Sequence, residues 1–130
     1  MADSSNLQFT LSLGSFGFKY GEDHGELVFD ARFLPNPYYV DSLKPLSGKD
    51  KPCADYVFSF PAAVQTLRQL HALICIQAEG FRKQERTSLT VRIGCTGGRH
   101  RSVALVEALA KEFADADFTV QVSHRDIDRY

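Results

Sequence analysis

Between residues 94 and 102 the chain reads Gly94-Cys95-Thr96-Gly97-Gly98-Arg99-His100-Arg101-Ser102, and these residue types at this spacing can hold a phosphate group. Glycines let backbone N–H groups converge on an anion, and Arg99, His100 and Arg101 add donors in or beside the same turn. An alternating apolar stretch (Leu89, Val91, Ile93) leads into the run, and an apolar-periodic one (Val103, Val106, Leu109, Phe113) leaves it. That change of period predicts a strand-to-helix turn. A helix starting there contributes unpaired N–H groups and the positive end of its dipole. Three cationic or potentially cationic side chains beside that end repel one another unless an anion joins them. The expected phosphate contacts are therefore Thr96, Gly97, Gly98, Arg99, His100, Arg101 and Ser102, with a phosphate or carboxylate as ligand.

The same run fits a second chemistry. Cys95, followed after five residues by Arg101 and Ser102, has the spacing of cysteine-dependent phosphatases. In those enzymes a thiolate attacks phosphorus while loop amides and the guanidinium hold the equatorial oxygens. That alternative also needs a general acid, for which Asp30 and Asp55 are candidates that the sequence does not position. The plain alternative makes Cys95 a small buried residue closing the strand. A binding module with no catalytic residue and no cofactor is the favoured reading over an enzyme. A nucleotide P-loop is disfavoured, because G-x-x-x-x-G-K-[ST] is absent.

Further segments are candidates for the walls of the site. Gly14 to Gly21 is rich in glycine and aromatics and carries one cation, Lys19, which suits a loop folding over a ligand as well as a plain turn. Asp30, Arg32 and Asn36 follow a short apolar run in quick succession and offer the mixed donors and acceptors that ligand hydroxyl or amine groups require. The competing reading for Asp30 is an ion pair with Arg32 that fastens the loop. His124 follows the last alternating stretch at what is expected to be the same sheet edge, with a frayed terminus as the alternative.

To position these residues the chain needs an α/β architecture. Residues 7 to 13 alternate as a strand that Gly14, Gly17 and Gly21 are expected to break, and Leu27 to Ala31 reads as a buried strand. The proline-rich segment 32–52 is a long loop of a length that is more often functional than not. A helix is expected from about Asp55 or Pro61 to Ala78, ending near Gly80, then a strand at 89–93, a helix at 102–114 and a strand at 118–122. The predicted fold is a single small α/β domain: a mixed, largely parallel sheet with flanking helices and a phosphate-binding strand-loop-helix.

Bulk properties set outer bounds. At 130 residues with 44% apolar and 24% charged residues, one core is expected. A formal net charge of −1 means that nucleic-acid binding would need a local patch. The N-terminal residues are polar and no apolar run reaches membrane-spanning length, so a cytoplasmic protein with no membrane partner is the expectation. Cys53, Cys75 and Cys95 are odd in number and widely spaced, which disfavours both a metal site and a disulfide framework. Cys75 is expected to be buried in a helix and Cys53 to lie in a loop.

Taken in order, Ser15–Gly21, Phe29–Pro37, Gly48–Pro52, Gly94–Ser102 and His124–Asp126 closely resemble the C-terminal domain of the RapZ family, bacterial RNase adapter proteins also described as nucleotide-binding. The resemblance covers nearly the whole chain, as residues 7–126, with 1–6 expected to be disordered and 127–130 a tail. It implies an α/β domain that binds RNA, senses glucosamine-6-phosphate with the glycine loop on the phosphate, and forms a homo-oligomer. Carried over by position, residues 96–102 would hold phosphate, with Lys19, Asp30, Arg32 and Asn36 as secondary contacts. Two departures qualify it. Family members place a kinase-like domain with a Walker motif before this region, so a stand-alone domain without nucleotide hydrolysis is expected. Their basic tail is replaced here by Asp126-Ile127-Asp128-Arg129-Tyr130, with Asp115 and Asp117 nearby, which puts inherited RNA affinity in doubt. The leading expectation is a cytoplasmic sensor or adapter for a small phosphorylated metabolite, whose capture closes the proline-rich loop and alters a partner surface. An RNA-binding adapter and a cysteine phosphatase are the alternatives, and an RNA or protein partner stays open.

Overall fold

The structure, a computed structural model, describes residues 8–129. Four strands, β1 (Thr10–Gly17), β2 (Leu27–Asp30), β3 (Ser88–Cys95) and β4 (Thr119–His124), form one sheet in the order β2-β3-β1-β4. All three pairings are parallel, as expected of strands separated by helical crossovers. Three helices accompany it: α1 (Lys51–Phe58), α2 (Pro61–Lys83) and α3 (Arg101–Phe113). The expected disordered segment 1–6 lies outside the described residues.

The register explains where the core sits. Leu11 pairs with Leu89 and Val120, and Leu13 with Val91 and Val122, so the odd-numbered positions of β1 and β3 share one face with the even-numbered positions of β4. Leu11, Leu13, Leu89, Val91 and Ile93 are fully buried there against Leu70, Ile74, Leu105, Leu109 and Phe113 of the helices. Thr10, Ser12, Thr90 and Arg92 of β1 and β3, with Gln121 and Ser123 of β4, point the other way, and none of these is buried. Here the helices pack on a single face of a parallel sheet, and the opposite face is made tolerable to water by hydroxyl and amide side chains.

Several boundaries differ from those expected. β1 starts at Thr10 and continues through Gly14 and Gly17. These glycines do not end the strand; they admit neighbours. A Cβ on Gly14 would strike the Arg92 side chain, and one on Gly17 would strike the Gly97 backbone. β2 is a half-exposed edge strand and not a buried one. Within the proline-rich segment a short 3-10 turn occupies Pro37–Tyr39, capped by the Asn36 side chain, which accepts from the Tyr38 N–H at 3.1 Å. Residues from Lys51 onward are helical, so Cys53 is a buried helix residue and not a loop residue. α2 runs through Gly80, whose Cα faces open space, and ends at Lys83. Cys75 lies on the exposed side of that helix and is not part of the core.

Candidate functional site

β3 ends at Cys95 and α3 begins at Arg101, so the glycine run forms the turn between a central strand and a helix N-terminus. The turn requires Gly98 in particular. Its φ of +71° is a left-handed conformation, and a Cβ there would lie 2.5 Å from the Gly17 nitrogen. Thus the end of β1 and the loop after β3 touch backbone to backbone. Gly97 has open space where a Cβ would go.

At this sheet edge lies a cavity of about 630 Å3 lined by residues from the β1–β2 connection (Lys19), the proline-rich segment (Asn36, Tyr38, Tyr39, Asp41, Lys44, Pro45), the glycine run (Cys95, Thr96, Gly97, Arg99, His100, Arg101) and Arg129. That size suits a ligand of sugar-phosphate or nucleotide dimensions.

Arg101 is the central group. It is 4% exposed. Its Nη1 donates to the carbonyls of Arg32 at 2.8 Å and Leu34 at 2.9 Å, and its Nη2 donates to Thr96 Oγ1 at 3.3 Å. Its Nε is buried with no acceptor. Among the described residues the amide N–H groups of Gly97, Gly98 and His100 also have no acceptor. A buried donor without a partner is costly, and Arg101, Gly97 and His100 line the cavity, where an anion would supply an acceptor; Gly98 lies outside that lining.

The three adjacent cationic residues do not act alike. Arg99 turns its guanidinium away to the carbonyls of Pro45 at 2.7 Å, Leu46 at 3.2 Å and Ile127 at 2.6 Å. The His100 Nε2 lies 3.2 Å from the Lys44 carbonyl oxygen, and burial holds this imidazole below its usual protonation range. Both side chains therefore staple the proline-rich segment to the loop, while both residues stay in the cavity lining. Ser102 is wholly buried behind Cys95, with Oγ 3.1 Å from Sγ, so it is a support for the cysteine and does not line the cavity.

Of the secondary candidates, Lys19 and Asn36 line the cavity. Asp30 and Arg32 do not; they form the alternative ion pair, with Arg32 Nη2 at 2.7 Å from Asp30 Oδ2. The Arg32 hydrogen bonds and charge hold the Asp30 carboxyl below its ordinary range. Arg32 contributes to the site only through its carbonyl, which positions Arg101. His124 is the last residue of β4 and is neither frayed nor in the cavity. Its Nδ1 is 2.6 Å from Ser15 Oγ and its Nε2 is 2.8 Å from Glu107 Oε2, beside a separate open groove between α3 and β4. Burial pushes the Cys53 thiol up to about 11. Among the described residues no group of three or more His, Cys, Asp or Glu could hold a metal ion, and no helix is long and apolar enough to cross a membrane.

Sequence reasoning missed Tyr39, Asp41, Lys44, Pro45 and Arg129 as lining residues. One signal was available: an aromatic pair directly after Asn36-Pro37, with Tyr39 81% exposed, is hard to explain as core.

A small parallel α/β domain with an anion-ready loop at the carboxyl edge of its sheet defines the class of protein. The family model described as the RapZ C-terminal domain matches residues 9–128, and the chain belongs to that family. Similar curated proteins include a "Nucleotide-binding protein" of Mycolicibacterium vanbaalenii, 46% identical over 120 residues, covering 92% of this chain and 38% of the relative. A "Nucleotide-binding protein" of Bacillus licheniformis is 45% identical over 93% of this chain and 41% of its own length. One of Heliobacterium modesticaldum is 41% identical over 98% and 42%. The chain thus spans about two fifths of the length of these relatives.

Proposed function

We propose that this domain is a binding module for a small phosphorylated metabolite, held with its phosphate on the Gly97–Arg101 loop. The observation that carries this reading is the buried Arg101 Nε, unpartnered beside unpaired loop amides in a cavity of matching size. The relatives' description as nucleotide-binding supports a phosphate-bearing ligand, and the resemblance to RapZ domains implies glucosamine-6-phosphate as the first compound to try. Tyr38 and Tyr39 would form the wall against the ligand's body, with Asn36 and Asp41 available to hydroxyl or amine groups. Because Arg99 and His100 flank Arg101 and grip Pro45, Leu46 and Lys44, capture of a phosphate would be transmitted first to the proline-rich segment. A sensor or adapter role follows from that linkage, with cytoplasmic location and a protein or RNA partner as parts of the same proposal.

Thermal unfolding against inorganic phosphate, glucosamine-6-phosphate, glucose-6-phosphate and ATP tests it. A ligand present at about a hundred times its Kd stabilises the protein by about 2.7 kcal/mol. For a chain of this size that raises Tm by several degrees. Arg101→Lys keeps a cation but loses the planar fork, and the shift should disappear. Stabilisation by none of the four compounds would sink the reading and turn attention to RNA, for which the cations Lys19, Lys44 and Arg129 around exposed tyrosines are the natural surface.

A further inference from the structure

We propose that the cavity also hydrolyses phosphate monoesters, with Cys95 as nucleophile and Asp41 as general acid; this rests on the phosphate-binding reading above. Four observations meet at one place. Cys95 closes β3 and lines the cavity, and five residues separate it from Arg101 at the start of α3. The Ser102 hydroxyl lies 3.1 Å from Sγ and the Ser102 N–H donates to it at 3.5 Å, so the first turn of the helix holds the sulfur in place. Arg101, Gly97 and His100 line the cavity, and the Arg101 Nε and the Gly97 and His100 amides, which have no acceptor among the described residues, are the groups for the equatorial oxygens of a phosphoryl group. Asp41 is the one carboxylate in the cavity lining among the described residues. It takes the role for which Asp30, tied to Arg32 outside the cavity, and Asp55, paired with Lys51, are misplaced.

The cycle has two displacements. The Cys95 thiolate attacks phosphorus, the S–P bond forms as the P–O bond to the leaving alcohol breaks, and protonated Asp41 gives its proton to the departing oxygen. Water then attacks the phosphocysteine, with the Asp41 carboxylate taking its proton. The new O–P bond forms, the S–P bond breaks, and sulfur leaves as thiolate beside inorganic phosphate. One monoester and one water are consumed, and the chain returns to its starting state. During both steps the loop amides and Arg101 meet the charge on the non-bridging oxygens.

The test uses the full chain with p-nitrophenyl phosphate, and follows inorganic phosphate in parallel as a stabilising ligand. Wild type should release p-nitrophenolate, and acid-quenched protein should carry a phosphoryl group on Cys95 by mass spectrometry. Cys95→Ser should lower release about a thousandfold while phosphate still raises its Tm. Asp41→Asn should lower kcat about a hundredfold. No release from a wild type that phosphate does stabilise overturns the hydrolytic proposal and leaves the binding reading intact. Release that survives Cys95→Ser overturns it equally. Failure of phosphate to stabilise the protein, with no release, removes both.

Discussion

The ends of β3 and β4 flank β1, and each places histidine and arginine in adjacent positions, yet the two sites have opposite electrostatic outcomes. After β4 the chain supplies its own anion. Asp126 is fully buried, accepts the Gly17 N–H at 2.8 Å and Arg125 Nε at 3.0 Å, and has Arg129 Nε within 3.2 Å of its other oxygen. Burial raises its carboxyl, but hydrogen bonds from Arg125 and Gly17 and the charges of Arg125 and Arg129 outweigh that and hold it below the ordinary range. After β3, among the described residues, Arg101 forms no salt bridge and its hydrogen bonds go to carbonyls and Thr96. A carboxylate one residue beyond His124-Arg125 turns one cationic strand end into a structural joint, and its absence leaves the other open to an outside anion.

Removing the internal anion should produce the largest effect. Asp126→Asn leaves Arg125 and the Gly17 N–H poorly matched and should lower unfolding free energy by about 3 kcal/mol, read as a fall in the urea midpoint. The reverse exchange is next. Gly97→Asp places a carboxylate in open space beside the unpaired amides and Arg101. It should abolish the phosphate-induced rise in Tm, worth about 2.7 kcal/mol at a hundred times Kd, while the variant without ligand stays folded. A retained response to phosphate in that variant would mean the anion sits elsewhere. The smallest effect concerns the staple between the two regions. Because burial lowers the His100 pKa from 6.5, the folded protein takes up this proton less readily than the unfolded chain. The contribution of His100 is complete above about pH 6.5 and is lost as pH falls toward the lowered folded value. In a Tm series across that window, His100→Gln, which keeps a donor for the Lys44 carbonyl, should flatten the decline.

The strand-loop-helix was legible in the sequence almost to the residue, because alternation through Ile93 changes to helical spacing from Val103 with glycines between. Such local signals need no knowledge of the rest of the chain. The division of labour among Arg99, His100 and Arg101 was not legible. It depends on Gly48, whose N–H donates to the Arg99 carbonyl at 2.8 Å and whose lack of a side chain lets the proline-rich segment lie against the start of α3. The carbonyls of Lys44, Pro45 and Leu46, some fifty positions away, then claim the Arg99 and His100 side chains, while those of Arg32 and Leu34 hold one end of Arg101 and leave its Nε without an acceptor. Gly14 and Gly17 misled for a related reason. As local signals they read as breakers, but here they accommodate Arg92 and the Gly97 backbone, partners that only the register brings near. The same limit hid Asp126, which reads as one acid in an acidic tail until Gly17 is placed beside it.

The strand order also governs how this chain can come into being. β1, made first, lies in the interior of the sheet, and its β4 neighbour is distant in sequence: Ser15 meets His124 across 109 residues. A nascent chain emerging from the ribosome therefore holds β1 without a lateral partner until β3, ending at Cys95, has been synthesised, and with one edge still unpaired until β4 follows. Topologies of this kind fold slowly, since loop closure must precede the contacts that reward it. Their exposed intermediates are the species on which chaperones act, so the interval between the synthesis of Gly17 and of Cys95 is when this protein is most vulnerable to aggregation.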